Sequence, residues 1–235
     1  MITPMTDRAA QDAANPALRG RAEQGRRKRR QTRQRLVQAA FELLGQDTGW
    51  NVQIDEVVAR AGVARGTFYN YFDSREHLIN VMAFELNHGL DVALAHAPDP
   101  ATRTALAVRA YLHKAATDRR WAWAMVNVSK NGRLVFGEDT YRHATETIEA
   151  GIASGDFKIP SLQAGLDLVM GSAFHAMRGI CEGQAPDTHA EDVARLVLLG
   201  LGVNRTRVER LLRVPLSTVD IAIDLTGPAE GGPDS

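Results

Sequence analysis

Residues 53–72 read QIDEVVARAGVARGTFYNYF, and this stretch decides the fold. Val57, Val58 and Ala61 fall on one face at helical spacing, and Val63 beyond the turn can complete that inner face. Gly62 interrupts them with a residue that turns freely. Arg65, Thr67, Tyr69, Asn70 and Tyr71 come next, offering donors, acceptors and flat rings. Two short helices joined by a tight turn, one braced by the other and presenting polar groups, form the arrangement that enters a DNA major groove.

Upstream, LVQAAFELL (36–44) puts Leu36, Ala40, Leu43 and Leu44 on one stripe, with Val37 and Phe41 beside it. Gly45 and Gly49 end that helix. Before it stands RRKRRQTRQR (26–35), seven cations in ten residues. Residues 1–25 have no sustained period and are expected to be a disordered arm. Downstream, Asp73 or Ser74 caps a helix whose buried side carries Leu78, Met82, Leu86 and Leu90. After a Pro98–Pro100 turn the spacing predicts helices at about 101–117, 119–130, 138–153, 161–182, 188–201 and 205–213, the last capped by Asn204. The expected fold is all-α: a helix-turn-helix head over 26–75, a larger helical unit over 76–217 and a flexible tail over 218–235. VDIAI at 219–223 is the single β-like fragment.

The formal net charge of zero conceals a dipole. Residues 26–75 carry 10 Lys/Arg against 5 Asp/Glu, and residues from 76 onward carry 15 against 20. The head can meet a polyanion while the rest stays clear of it. A single cysteine, Cys181, rules out an intrachain disulfide and fits a reducing compartment. The first 20 residues lack the apolar core of a secretory signal, and no apolar run is long enough for a bilayer, so the expectation is a cytoplasmic protein with no membrane partner. Histidines at ligand spacing are lacking, and no cofactor or metal is expected. GxSxG, HExxH and P-loop patterns are also lacking, which argues against an enzyme.

The stretch resembles the TetR family. Ala61-Gly62-Val63 matches the family's turn, and Gly66-Thr67-Phe68-Tyr69 through Phe72 matches its reading helix. Ser74, Arg75, Glu76 and Leu78 match the start of the family's next helix. The resemblance is close over residues 33–80 and extends beyond only as helix count. It implies a homodimeric transcription regulator, commonly a repressor, that binds a double-stranded DNA operator and answers to a small-molecule effector. By position it implies that Thr67, Tyr69, Asn70 and Tyr71 face the groove or its phosphates, that Arg65 touches backbone or a base edge, and that Arg75 holds a phosphate. Arg33, in the basic run, is a further expected DNA contact. Gln53 stands where the family has a Ser or Thr cap and phosphate contact; Gln caps poorly, and Asn51 is the alternative.

An apolar effector cavity is expected from Trp121, Trp123, Met125, Phe136, Tyr141, Phe174, His175 and Met177, with plain core packing as the competing explanation for each one. His113, His143 or His175 could add a polar handle. A dimer interface is expected from the last two long helices, through Leu166, Met170, Ala173, Leu196 and Leu199. A ligand-independent regulator or an activator would show the same features. A small helical enzyme and a pure interaction module are the alternatives of other classes, and the second would leave the basic cluster unexplained.

Overall fold

The computed structural model describes residues 16–131 and 135–216. Ten α-helices and one 3-10 turn make up the regular structure among the described residues. They are α1 (Pro16–Leu44), the 3-10 turn (Gly49–Asn51), α2 (Ile54–Ala61), α3 (Arg65–Phe68), α4 (Arg75–Leu94), α5 (Pro100–Thr117), α6 (Arg119–Asn131), α7 (Glu138–Ser154), α8 (Leu162–Cys181), α9 (His189–Gly200) and α10 (Arg205–Leu211). The all-helical expectation holds, and the six expected downstream helices match to within two residues.

Caps explain several starts. Asp99 accepts from the Thr102 N–H at 2.9 Å with Pro100 beginning α5. Ser161 accepts from Ala164 before α8, and Asn204 from Arg207 before α10. Ser74, rather than Asp73, caps α4, accepting from the His77 N–H at 3.1 Å.

The N-terminus departs from expectation. Helix α1 begins at Pro16, so residues 16–25 are helical where disorder is expected. The lack of an apolar period indicates only that no face is buried. Ala, Arg, Gln, Glu and Lys are good helix formers whether or not they are buried, and Pro suits a first turn. Residues 1–15, the 218–235 tail and the VDIAI fragment lie outside the described residues.

Helices α1, α2 and α3 form the head. Leu36, Val37, Ala40 and Leu44 of α1 meet Val57, Val58 and Ala61 of α2 and Phe68 of α3 in one core. Helix α4 packs on α1 and also on α5, α6 and α7, so it belongs to both halves. Its expected inner residues Leu78, Met82, Leu86 and Leu90 are all buried. Helices α5, α8 and α9 pack mutually, with α6 and α7 closing the sides. Gly137 lets the chain entering α7 cross α4, since a Cβ there would sit 2.7 Å from that of Ala83. Cys181 ends α8 with its thiol fully buried, and burial pushes that thiol up to about 11.

Candidate nucleic-acid interface and effector cavity

The head turns at Gly62, whose left-handed backbone (φ 64°) lets the Val63 N–H reach Val58 O at 3.0 Å. Helix α3 is short and continues as turns: the Phe72 N–H reaches Phe68 O at 3.0 Å. Phe68 and Phe72 are buried, their rings 5.4 Å apart, and they fix α3 to the core. Tyr69 (47% exposed) and Asn70 are left outward, while Thr67 and Tyr71 are half-buried at the same surface. A Cβ built on Gly66 meets nothing within 4 Å, so no clash within the chain explains that glycine.

Gln53 is the N-cap of α2, with extended backbone (φ −103°, ψ 155°). Its amide nitrogen donates to both oxygens of Asn51 at 2.9 Å. Glu56 accepts the Gln53 backbone N–H at 2.7 Å as part of a capping box, and its carboxylate also suits the positive helix start. Arg65 donates to Asp55 and is held by Tyr69 as well.

Two further expected DNA contacts, like Arg65, have side-chain partners within the protein. Arg33 pairs with the buried Glu85 of α4 at 3.5 Å. Arg75 donates from Nε to Val52 O (2.7 Å) and from Nη2 to Asn131 Oδ1 (2.6 Å). It therefore joins the head to α6 where the resemblance implies a phosphate contact. Sequence reasoning misses the partners on α6. Fully buried Asn127 donates to Leu44 O (2.9 Å) and Gln46 O (2.7 Å), and Asn131 donates to Trp50 O at 2.5 Å. Two asparagines four apart inside a helix are the available signal: they share a face, and an inward amide must be satisfied.

A pocket open to solvent at its mouth lies between α4, α5, α7 and α8. Its walls are mostly apolar, among them Val108, Ile148, Val169 and Phe136, with Tyr111, Thr104, Thr147, Arg103 and His143 as the main polar groups. Of the eight residues expected to line it, Phe136 alone does. Trp121 is fully buried, its indole donating to Leu86 O at 3.1 Å; Met125 and Met177 are core; Trp123, Tyr141 and Phe174 pack half-buried against the core; His175 is exposed. His143 is the one expected handle on the wall. Met170 and Ala173, expected at a dimer interface, line the cavity too, and Leu166 is buried within the protomer. Leu196 (68% exposed) and Leu199 (36%) do face outward. The wide apolar surface of α8 suits an outward interface in sequence terms, whereas in the fold α5, α7 and α9 cover it.

Phe136 has a left-handed backbone (φ 63°), which is uncommon and costly for an aromatic residue. Its N–H donates to Ser129 Oγ of α6 at 3.0 Å, and its carbonyl accepts from Asn87 of α4 at 2.9 Å. Asn87 in turn accepts the Tyr111 hydroxyl at 2.6 Å. The cavity wall is thus bonded to α6, and α6 is bonded to the head.

A helix-turn-helix head with an exposed polar reading face, fused to a helical body containing a cavity, defines a DNA-binding transcription regulator. Residues 36–82 match the family described as bacterial regulatory proteins, tetR family, and residues 99–213 match the tetracyclin repressor-like C-terminal domain. The chain belongs to the TetR family. It is 39% identical over 59 residues to the uncharacterized HTH-type transcriptional regulator YvdT of Bacillus subtilis (strain 168), a match covering 25% of this chain and only 30% of YvdT. The structure of RolR in complex with resorcinol superimposes with a TM-score of 0.58 at 26% identity, covering 81% of this chain and 97% of RolR. The regulator FadR from Bacillus subtilis, in complex with stearoyl-CoA, shares the fold at a TM-score of 0.52 and 17% identity, over 71% of this chain and 97% of FadR. No helix among the described residues is long and apolar enough to cross a membrane.

Proposed function

We propose that the protein is a homodimeric repressor that leaves its operator when a small, largely apolar, hydroxyl-bearing molecule fills the cavity. The bonded route from cavity to head carries this reading. A ligand against Phe136 and Tyr111 acts on Ser129 and Asn87; α6 then carries any shift to Asn127 and Asn131, which hold the loop feeding α2. The ligand must favour one placement of α6 over the other, or nothing moves. Thr104 and Thr147 already donate to the carbonyls of Pro100 and His143. Their oxygens are left to accept, which favours a ligand with hydroxyl donors. RolR, bound to resorcinol, is a structural relative consistent with that class.

Leu196 and Leu199, three apart and so neighbours on one exposed face of α9, form the apolar pair best suited to contact between protomers. A dimer also brings two reading helices to successive major grooves, roughly 34 Å apart. Tyr69, Asn70, Thr67 and Tyr71 read the groove, with Gln53 and Arg65 at its phosphates once Asp55 yields. Such a regulator works beside the chromosome, in the cytoplasm.

The test is binding of purified protein to DNA from its own upstream region across a salt series, with and without resorcinol as the first probe. A sequence-preferring complex weakened by the phenol is expected. No such complex at moderate salt would refute the regulator reading, and a complex indifferent to hydroxylated aromatics would refute the effector class.

A further inference from the structure

We propose that the N-terminal half of α1 is a rigid basic rod that grips the DNA phosphate backbone beside the groove entered by the reading helix. The proposal rests on the DNA-binding reading above. Residues 16–35 hold nine Arg and Lys and one acid, Glu23. The lower part of this stretch is anchored: Arg35 donates to Ala61 O and Gly62 O of the helix turn at 2.5 and 3.1 Å, and Arg33 pairs with Glu85. The Arg29 guanidinium lies 5.9 Å over the ring of Tyr71, at the end of the reading helix. Helix α1 therefore runs along the DNA-facing side of the head and continues past it. Arg21, Arg26, Arg27, Lys28 and Arg30 are all exposed.

The rod is electrostatically frustrated without a partner. Arg26 faces Arg30 and Arg29 faces Arg33 one turn apart, so like charges repel along one side. The first turn of α1 carries no acid to offset the helix dipole. A polyanion removes both penalties. An acyl membrane is a poor fit because residues 20–31, GRAEQGRRKRRQ, hold no apolar side chain beyond alanine, and a membrane-seated helix needs an apolar face. Duplex DNA supplies phosphates in a row, adjacent to Tyr71. The projecting 16–28 segment is about 20 Å long at 1.5 Å per residue, enough to follow roughly six base pairs.

The experiment compares the full chain with R26A/R27A/K28A/R30A and with the charge-keeping R26K/R27K/R30K. The probes are the protected upstream duplex with flanks of about 10 bp, longer than the rod can follow, the same duplex trimmed to its core, and a random duplex of equal length. The alanine variant is expected to lower the slope of log K against log salt by about 3–4 per protomer, at about 0.9 per phosphate contact. It should also shorten the footprint by up to about six base pairs per half-site and leave the preferred bases unchanged. The lysine variant should bind as the parent does. An unchanged slope and footprint in the alanine variant, or equal loss in the lysine variant, would overturn the proposal. So would loss of binding to phosphatidylserine vesicles with no change on DNA. If parent and variants alike showed no sequence preference, the regulator reading would fail instead.

Discussion

Gly66 separates folding from reading. Nothing in the chain crowds it, and a helix turn generally gains about 0.5–1 kcal/mol when glycine is replaced by a better helix former. Gly66→Leu should therefore keep or raise the melting temperature while losing specific DNA binding. Equal affinity in parent and variant would mean that the outer face of α3 does not approach DNA. Arg75 gives the opposite pattern. Its two short bonds join Val52 and Asn131, so Arg75→Ala should cost about 1.5–3 kcal/mol of stability, the range for hydrogen bonds to charged groups. Arg75→Lys should not restore it, because one ammonium cannot reproduce the fork. A variant that folds as well as the parent and loses only DNA affinity would return Arg75 to the phosphate role. The residue's type and place are clear from the sequence; its use depends on an asparagine 56 positions away, which no local pattern reveals.

At the scale of elements, α6 is bonded both to the cavity wall through Ser129 and to the head through Asn127 and Asn131. Asn127→Leu leaves the Leu44 and Gln46 carbonyls without their donor and should cost about 1–3 kcal/mol. Basal operator binding should weaken by much less than the response to effector, read as the ratio of affinities with and without ligand. A response ratio equal to the parent's would show that coupling bypasses α6. The helices themselves are legible in the sequence because their caps and breakers are local: Asp99, Ser161, Asn204 and glycines such as Gly62, Gly137 and Gly155 punctuate the sequence as they do the structure. Helix α1 is only half legible, because its upper turns bury nothing and leave no periodic trace. The cavity escapes for a different reason. Aromatic and Met residues mark apolar environments, but a solid core and a hollow one use the same side chains, and only the positions of α5, α7 and α8 separate Trp121 from Phe136.

For the whole molecule, two carboxylates tie distant parts together. Burial would raise Asp99 and Glu191, yet hydrogen bonds from Thr102 to the first and from His113 to the second, with Arg207 and Arg109 nearby, hold both below their ordinary values. Groups depressed on folding stabilise the fold above their unfolded pKa, so this contribution is complete above the ordinary values of 3.8 and 4.5 and is lost as pH falls through the lower folded ones. The urea midpoint should drop steeply in that acid range, and Asp99→Asn with Glu191→Gln should flatten the drop; a parallel curve in the double variant would locate the acid sensitivity elsewhere. Leu196→Asp should yield monomers by analytical ultracentrifugation and weaken operator binding, while the fold survives because that side chain packs on little of its own protomer. A variant that stays dimeric would move the interface off α9.

Cys181 gives this chain a built-in clock. It is the only thiol, it is sealed at the end of α8, and its high pKa leaves almost no thiolate at neutral pH. An alkylating reagent can reach it only when the helices around it part. The rate of labelling therefore times the opening of the body without any added probe. A compound that fills the cavity against α8 should slow the reaction in proportion to its occupancy, so effector candidates can be ranked before any operator is known.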